Sequence, residues 1–184
     1  PRRRMRPARS HRSALRGTGV ATPPPRSRPH PRASGPVTRA RPSLSTNSVW
    51  SGDQAVDTSG QTGTYVSVDT NSQEDVFISF HSGNELKVAN WVSGQGWVAT
   101  SVDGNASTNV GLDTSMFIEQ STDEVHVTYY DLTNKDLKYA VRDANGNWNT
   151  STLDTAGQVG QASSIVVDSN GDCHISYIDY TNQV

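Results

Sequence analysis

Cysteine, acids at one end, prolines at the other and long apolar runs are what this chain of 184 residues lacks. The single cysteine, Cys173, excludes an internal disulfide. No apolar run approaches the roughly eighteen residues of a membrane-crossing helix, so no helical membrane span is expected. Acids are missing before Asp53, and proline is missing after Pro42, since all nine prolines lie in 1–42. Bases are scarce beyond that point. Lys87, Lys135, Lys138 and Arg142 stand against eighteen acids, a net charge of −14 for residues 53–184. Such a charge opposes nucleic acid and anionic membranes, so no nucleic-acid partner is expected for this part.

The two ends are therefore different materials. Residues 1–48 hold twelve of the sixteen basic residues and almost no large hydrophobes. A segment of this kind cannot bury enough surface to offset its conformational entropy, and disorder is expected. Its Arg-rich, acid-free composition is open to several readings: an organelle targeting segment, a basic arm for phosphates, a strap for the acidic part, or a stretch translated outside the natural frame.

Residues 49–184 change to short runs of Val, Ile, Tyr and Trp separated by Asp, Asn, Ser and Gly, the pattern of an all-β domain. The chain also repeats itself. DEVHVTYYDLTNKDLKYAVRDANGNWNTSTLD (123–154) follows a looser copy at 75–103 and precedes GDCHISYIDYTN at 171–182. Trp97 matches Trp148 and Leu86 matches Leu137; Val76 matches Val125, Phe80 matches Tyr129, and His126 matches His174. In the middle copy four strands are expected: Ser115–Glu119, Val125–Tyr130, Leu137–Arg142 and Trp148–Leu153. Asn145–Gly146 is a strong hairpin dipeptide, since both residue types tolerate positive φ. Short connections make each unit an antiparallel meander. A tandem unit of this size reads as a β-propeller blade, with copies at about 64–103, 113–154 and an incomplete 163–184.

Continuous apolar runs in TYVSV, SSIVV and CHISYI imply that both faces of each sheet are covered. About two and a half blades cannot close a ring of four to eight. An arc would leave a blade face exposed. The expectation is a partial propeller completed by missing blades of the same chain or by an oligomer.

DSNGDCHISYIDYTN, DLKYA, the turn ending in GNW and LDTAGQVGQASSIVVD resemble tandem repeats of uncharacterised bacterial and archaeal surface proteins. Those are similar to sialidase-like and lectin-like propellers. The resemblance covers about residues 50–184. It implies a non-catalytic binding or surface-display module, extracellular or at the cell surface, that recognises a glycan or a protein. The alternative it implies is a sialidase-like glycoside hydrolase or lyase with catalytic residues elsewhere. A sialidase blade turn reads Ser-x-Asp-x-Gly-x-x-Trp, whereas this chain has Asp143-Ala-Asn-Gly146-Asn-Trp148. A sialidase also clamps a carboxylate with several arginines, and residues 53–184 contain Arg142 alone.

No catalytic residue and no metal ligand set is assigned from the sequence. His126 and His174 fall where the first copy has Phe77, so the position calls for a flat ring. Cys173 replaces Val125 and Val76, and reads as a small strand hydrophobe. Asp168–Asp172 has the oxygen spacing of a calcium loop without its closing Glu. Calcium at that loop and a turn held by Asx hydrogen bonds both remain open. The binding candidates lie in the loop after the second strand: Tyr130, Asp131 and Asn134, repeated as Asp179, Tyr180 and Asn182. Aromatic rings beside Asp and Asn suit sugars, because the ring stacks on the apolar sugar face and the polar groups bond hydroxyls. In the other reading, Asp and Asn merely cap the loop.

Overall fold

The computed structural model describes residues 38–40, 53–59 and 62–183. All regular structure among them is β. The strands are β1 (Thr38–Ala40), β2 (Gln54–Asp57), β3 (Thr62–Thr70), β4 (Val76–Ser82), β5 (Glu85–Val92) and β6 (Gly96–Asp103). They continue as β7 (Val110–Glu119), β8 (Glu124–Asp131), β9 (Asp136–Arg142), β10 (Trp148–Asp154), β11 (Val159–Val167) and β12 (Cys173–Asp179). Two four-stranded meanders, β3-β4-β5-β6 and β7-β8-β9-β10, are flanked by the two-stranded sheets β1-β2 and β11-β12. All pairings are antiparallel. The sheets do not close into a barrel. Apart from the short strand β1, which the expectation of disorder over 1–48 did not foresee, that segment lies outside the described residues.

The alternation expected on β8 holds. Val125, Val127 and Tyr129 point to one side and join Phe77, Leu86, Val88, Val110, Met116, Ile118 and Ala140 in a core between the two large sheets. A smaller cluster places Val56 of β2 against Ile78, Phe80 and Ala89. Trp97 packs on the smaller cluster and Trp148 on the larger one, as anchors at the starts of β6 and β10. β8 is buried from Val125 to Asp131 because sheets cover both its faces. The outer sheets depart from the expectation of two covered faces: Val66 and Val68 on β3, and Val166 and Ile178 on β11 and β12, are exposed. The short β1-β2 sheet reaches only part of the β3-β4-β5-β6 face, where Val56 meets Ile78 and Phe80.

The first strand of each sheet begins earlier than expected. β7 starts at Val110 and not Ser115, and β11 starts at Val159 and not 163. The reason is a double register shift that lets the strand continue through a kink, at Val110/Leu112 and Leu112/Ser115 in β7 and at the matching places in β3 and β11. Each kink carries a non-glycine residue at positive φ, namely Tyr65 (54°), Asp113 (49°) and Ala162 (48°). Two residues before each stands a glycine at positive φ: Gly63, Gly111 and Gly160. Gly111 lies against Leu86 of the preceding sheet, so that a Cβ there would sit 2.6 Å from the Leu86 Cα. Gly160 meets Leu137 in the same way, again at 2.6 Å.

These first strands are sheet edges, and edges carry unpaired N–H groups. Side chains of the preceding first strand take them up. Met116 N–H donates to Ser67 Oγ (3.1 Å) and Ile118 N–H to Asp69 Oδ2 (2.8 Å). One sheet further on, Ile165 N–H donates to Ser115 Oγ (3.2 Å) and Ala162 N–H to Asp113 Oδ2 (3.1 Å). Between the second strands and the next sheet, Ser79 Oγ bonds Thr114 Oγ1 and Ser163 Oγ bonds Thr128 Oγ1, both at 3.0 Å. β3, β7 and β11 thus stand side by side, and the Met116–Ser67 bond recurs at the repeat period as Ile165–Ser115.

At the other end of each sheet the last residue of the fourth strand locks the next sheet. Asp57 pairs with Lys87 at 3.0 Å, and Asp103 pairs with Lys138. Tyr129 Oη adds a 2.6 Å bond to Asp103, and Tyr177 Oη bonds Asp154 at 2.7 Å. Burial raises the pKa of Asp103, but the Lys138 and Tyr129 hydrogen bonds outweigh it and hold the carboxyl below its usual range. Burial and the bond to Asp103 push the Tyr129 hydroxyl far above the usual phenol value.

Candidate functional site

The loops after the second strands are built on one plan. Asp131, buried, accepts Thr133 N–H (2.9 Å) and Asn134 N–H (3.0 Å) at Oδ1, and Asn134 Nδ2–H (2.8 Å) at Oδ2. Asp179, also buried, accepts Asn182 N–H (2.9 Å) and Asn182 Nδ2–H (2.6 Å). The carboxylates therefore hold the loops shut, as Asp does in an Asx turn. Lys135 and Gln183 carry the positive φ that closes each loop, at 66° and 56°.

Each loop is also zipped to the connection entering the next first strand. Leu132 N–H donates to Asn109 O (2.9 Å) and Asn109 N–H to Thr133 Oγ1 (2.7 Å). Tyr180 N–H donates to Gln158 O (2.9 Å) and Gln158 N–H to Thr181 Oγ1 (2.7 Å). The first copy, with its shorter Ser82–Glu85 loop, uses His81, whose Nε2 lies 2.9 Å from Asn109 Oδ1. The result is one continuous loop edge in which backbone and small polar side chains are already paired.

The six residues singled out from the sequence separate accordingly. Tyr130 is buried, with its hydroxyl lacking a hydrogen-bond partner, and is unavailable to a ligand at the surface. Asp131 and Asp179 are loop locks. Asn134 and Asn182 are exposed, with their amide N–H groups committed to those locks. Tyr180 stands out at 52 % exposure. Sequence reasoning missed Leu132, exposed at 45 % in the place that Tyr180 takes in the next loop. The signal was present in the alignment of DLTN with DYTN.

The remaining candidates resolve into turns and packing. Asp168 accepts Asn170 and Asp172 N–H at Oδ1 (2.8 and 3.1 Å), and its Oδ2 lies 2.9 Å from His174 Nε2. That is an Asx-type hairpin turn, with both oxygens engaged. Asp143 likewise accepts Asn145 and Asn147 N–H, at 2.9 and 2.8 Å. Only Gly146 of the Asn145–Gly146 pair takes positive φ, so this hairpin turn is not the two-residue mirror type that the dipeptide suggested. Arg142 lies over the Phe77 ring, 5.9 Å from its centroid, beside a groove of about 120 Å³ that Trp148 and Val88 help to line.

His126 is the polar residue with the most unusual surroundings. It is 5 % exposed, its Nδ1 lies 2.6 Å from Tyr139 Oη, and its Nε2 has no hydrogen-bond partner. Cys173 Sγ lies 3.8 Å from the same Nδ1. Burial pushes the Cys173 thiol up, so the thiol form dominates near neutral pH. No helix among the described residues is long and apolar enough to cross a membrane. No protein-family model matches this chain and no curated protein matches it, so the loop edge itself carries the functional reading.

Proposed function

We propose that residues 49–184, together with the short strand β1 before them, are part of a β-propeller that acts as a non-catalytic recognition module, outside the cell or at its surface, with a glycan as ligand. The propeller reading is supported by the side-by-side first strands, whose Ser67–Met116 and Ser79–Thr114 bonds recur one repeat on as Ser115–Ile165 and Thr128–Ser163. It is supported also by the two half-sheets: β1-β2 corresponds to strands three and four of a unit, and β11-β12 to strands one and two. Further sheets, from the same chain or a second copy, would cover Val66, Val68, Val166 and Ile178.

One observation carries the binding reading. Two successive loops are locked by their own Asp and Asn, and each presents one large apolar residue, Leu132 or Tyr180, on the same edge. A pre-locked loop loses little conformational entropy on binding. A tyrosine ring offers a flat face to the C–H side of a sugar, and the exposed Asn182 side-chain carbonyl oxygen, which the loop lock does not use, would accept from a hydroxyl. Repetition on adjacent blades would add avidity for a polymer. The acids recur at each repeat as turn and sheet locks, which favours binding over hydrolysis. The folded protein is expected to retain immobilised glycans without turning over fluorogenic glycosides. Turnover that is abolished by one acid substitution would replace this reading with the hydrolase or lyase alternative.

A further inference from the structure

Glu119 ends β7 and Glu124 begins β8, directly opposite one another in the ladder. Like charges in that position destabilise a sheet unless something lies between them. None of the described ion pairs involves either one. Ser121 and Thr122 hydroxyls donate to Glu119, at 2.7 and 3.1 Å, and fix its carboxylate over the turn. His126, two residues beyond Glu124 on the same strand face, completes the group. A ring nitrogen of His126 and one carboxylate oxygen from each glutamate all lie within 4.8 Å of one another.

A buried imidazole nitrogen without a partner is costly, and such atoms call for a specific explanation. Nδ1 is accounted for by Tyr139, and Nε2 is not. The other repeats show what the position does without an open nitrogen. In the third copy the same places hold Asp168, Asp172 and His174, and there the shorter Asp168 reaches His174 Nε2 directly, at 2.9 Å. In the first copy the ring is Phe77, which carries no nitrogen. Only the middle copy combines two longer acids with an unpartnered imidazole nitrogen.

We propose that Glu119, Glu124 and His126 form a binding site for a divalent transition-metal ion of the zinc class. One imidazole and two carboxylates is a donor set that suits zinc or a neighbouring first-row ion better than calcium or magnesium, which prefer oxygen alone. Metal–ligand distances of about 2.0–2.2 Å in a tetrahedral shell place donors about 3.3–3.6 Å apart. From within 4.8 Å the trio therefore needs to contract by up to about 1.5 Å, which changes of glutamate rotamer supply. Tyr139 Oη serves as the outer partner that fixes the ring, with Nδ1–H donating to it and the Nε2 lone pair facing the ion. The site joins the two ends of the β7–β8 hairpin beside the next sheet, so the ion would tie that hairpin down. It does not depend on the glycan-binding reading.

Isothermal titration of the full chain with Zn²⁺ tests this, read together with the thermal midpoint. The expected result is a site filled at one ion per chain, a midpoint that rises with Zn²⁺, and reversal by EDTA. His126→Phe places the first repeat's residue at the site, and should lower affinity at least a hundredfold. Glu124→Gln, at the strand start, should lower it tenfold or more. His174→Phe should leave it unchanged. The proposal is overturned if the folded protein takes up no Zn²⁺ at 1:1. It is overturned equally if binding persists undiminished in Glu124→Gln and in any His126→Phe protein that folds.

Discussion

Replacing Gly111 with alanine isolates the contact on which the stacking of sheets depends. Gly111 has φ near +89°, and its missing Cβ would sit 2.6 Å from Leu86 Cα and 2.8 Å from Leu86 N. Both are backbone atoms, so no side chain can swing aside. Left-handed φ costs an alanine about 1–2 kcal/mol, and forcing an atom into packed backbone adds about 1–3 kcal/mol. The variant should lose about 2–5 kcal/mol, a large share of the roughly 5–15 kcal/mol that holds a domain folded. Gly94→Ala is the matched control. Its φ is +82° and nothing lies within 4 Å of the added atom, so it should lose the conformational part alone. Urea unfolding followed by tryptophan fluorescence reads both. If the two variants lose the same stability, Gly111 is not the point of contact between sheets and the packing argument fails.

Ala162 carries φ of 48° without a glycine's freedom, so Ala162→Gly should raise stability by up to about 1 kcal/mol in the same urea assay. Asp103 is held below its ordinary pKa, so its contribution is complete above the unfolded value and is lost as pH falls through the lower, folded one. Acid titration of stability should therefore fall more steeply below pH 4 for the wild type than for Asp103→Asn, which starts lower. Cys173 should react with a thiol reagent at pH 8 at least tenfold more slowly in the folded protein than in urea, since burial raises its pKa and restricts access.

The parts of the fold legible in the sequence are those set by local chemistry. Asp143–Asn147, the alternation of Val125, Val127 and Tyr129, and the paired tryptophans each announce a turn or a face through neighbours in the chain. The kink at Asp113 and the true start of β7 at Val110 were hidden, because they depend on how Gly111 meets Leu86 of another sheet. The loop after the second strand recurs in the structure as it does in the sequence, but composition cannot distinguish an aspartate offered to a ligand from one spent on its own loop. Asp131 and Asp179 are the second kind. For His126 and His174 the alignment with Phe77 pointed to a flat ring; His126 is buried and His174 exposed. The unpartnered Nε2 follows only from which neighbours come within reach.

The most direct test of the proposed recognition role is binding to a printed glycan array by the folded protein, run beside Tyr180→Ala. Tyr180 is exposed and outside the cores, so the variant should keep its thermal midpoint. The account predicts a discrete set of bound glycans whose signal falls at least tenfold in Tyr180→Ala. A flat array, or binding that survives both Tyr180→Ala and Leu132→Ala, would contradict it.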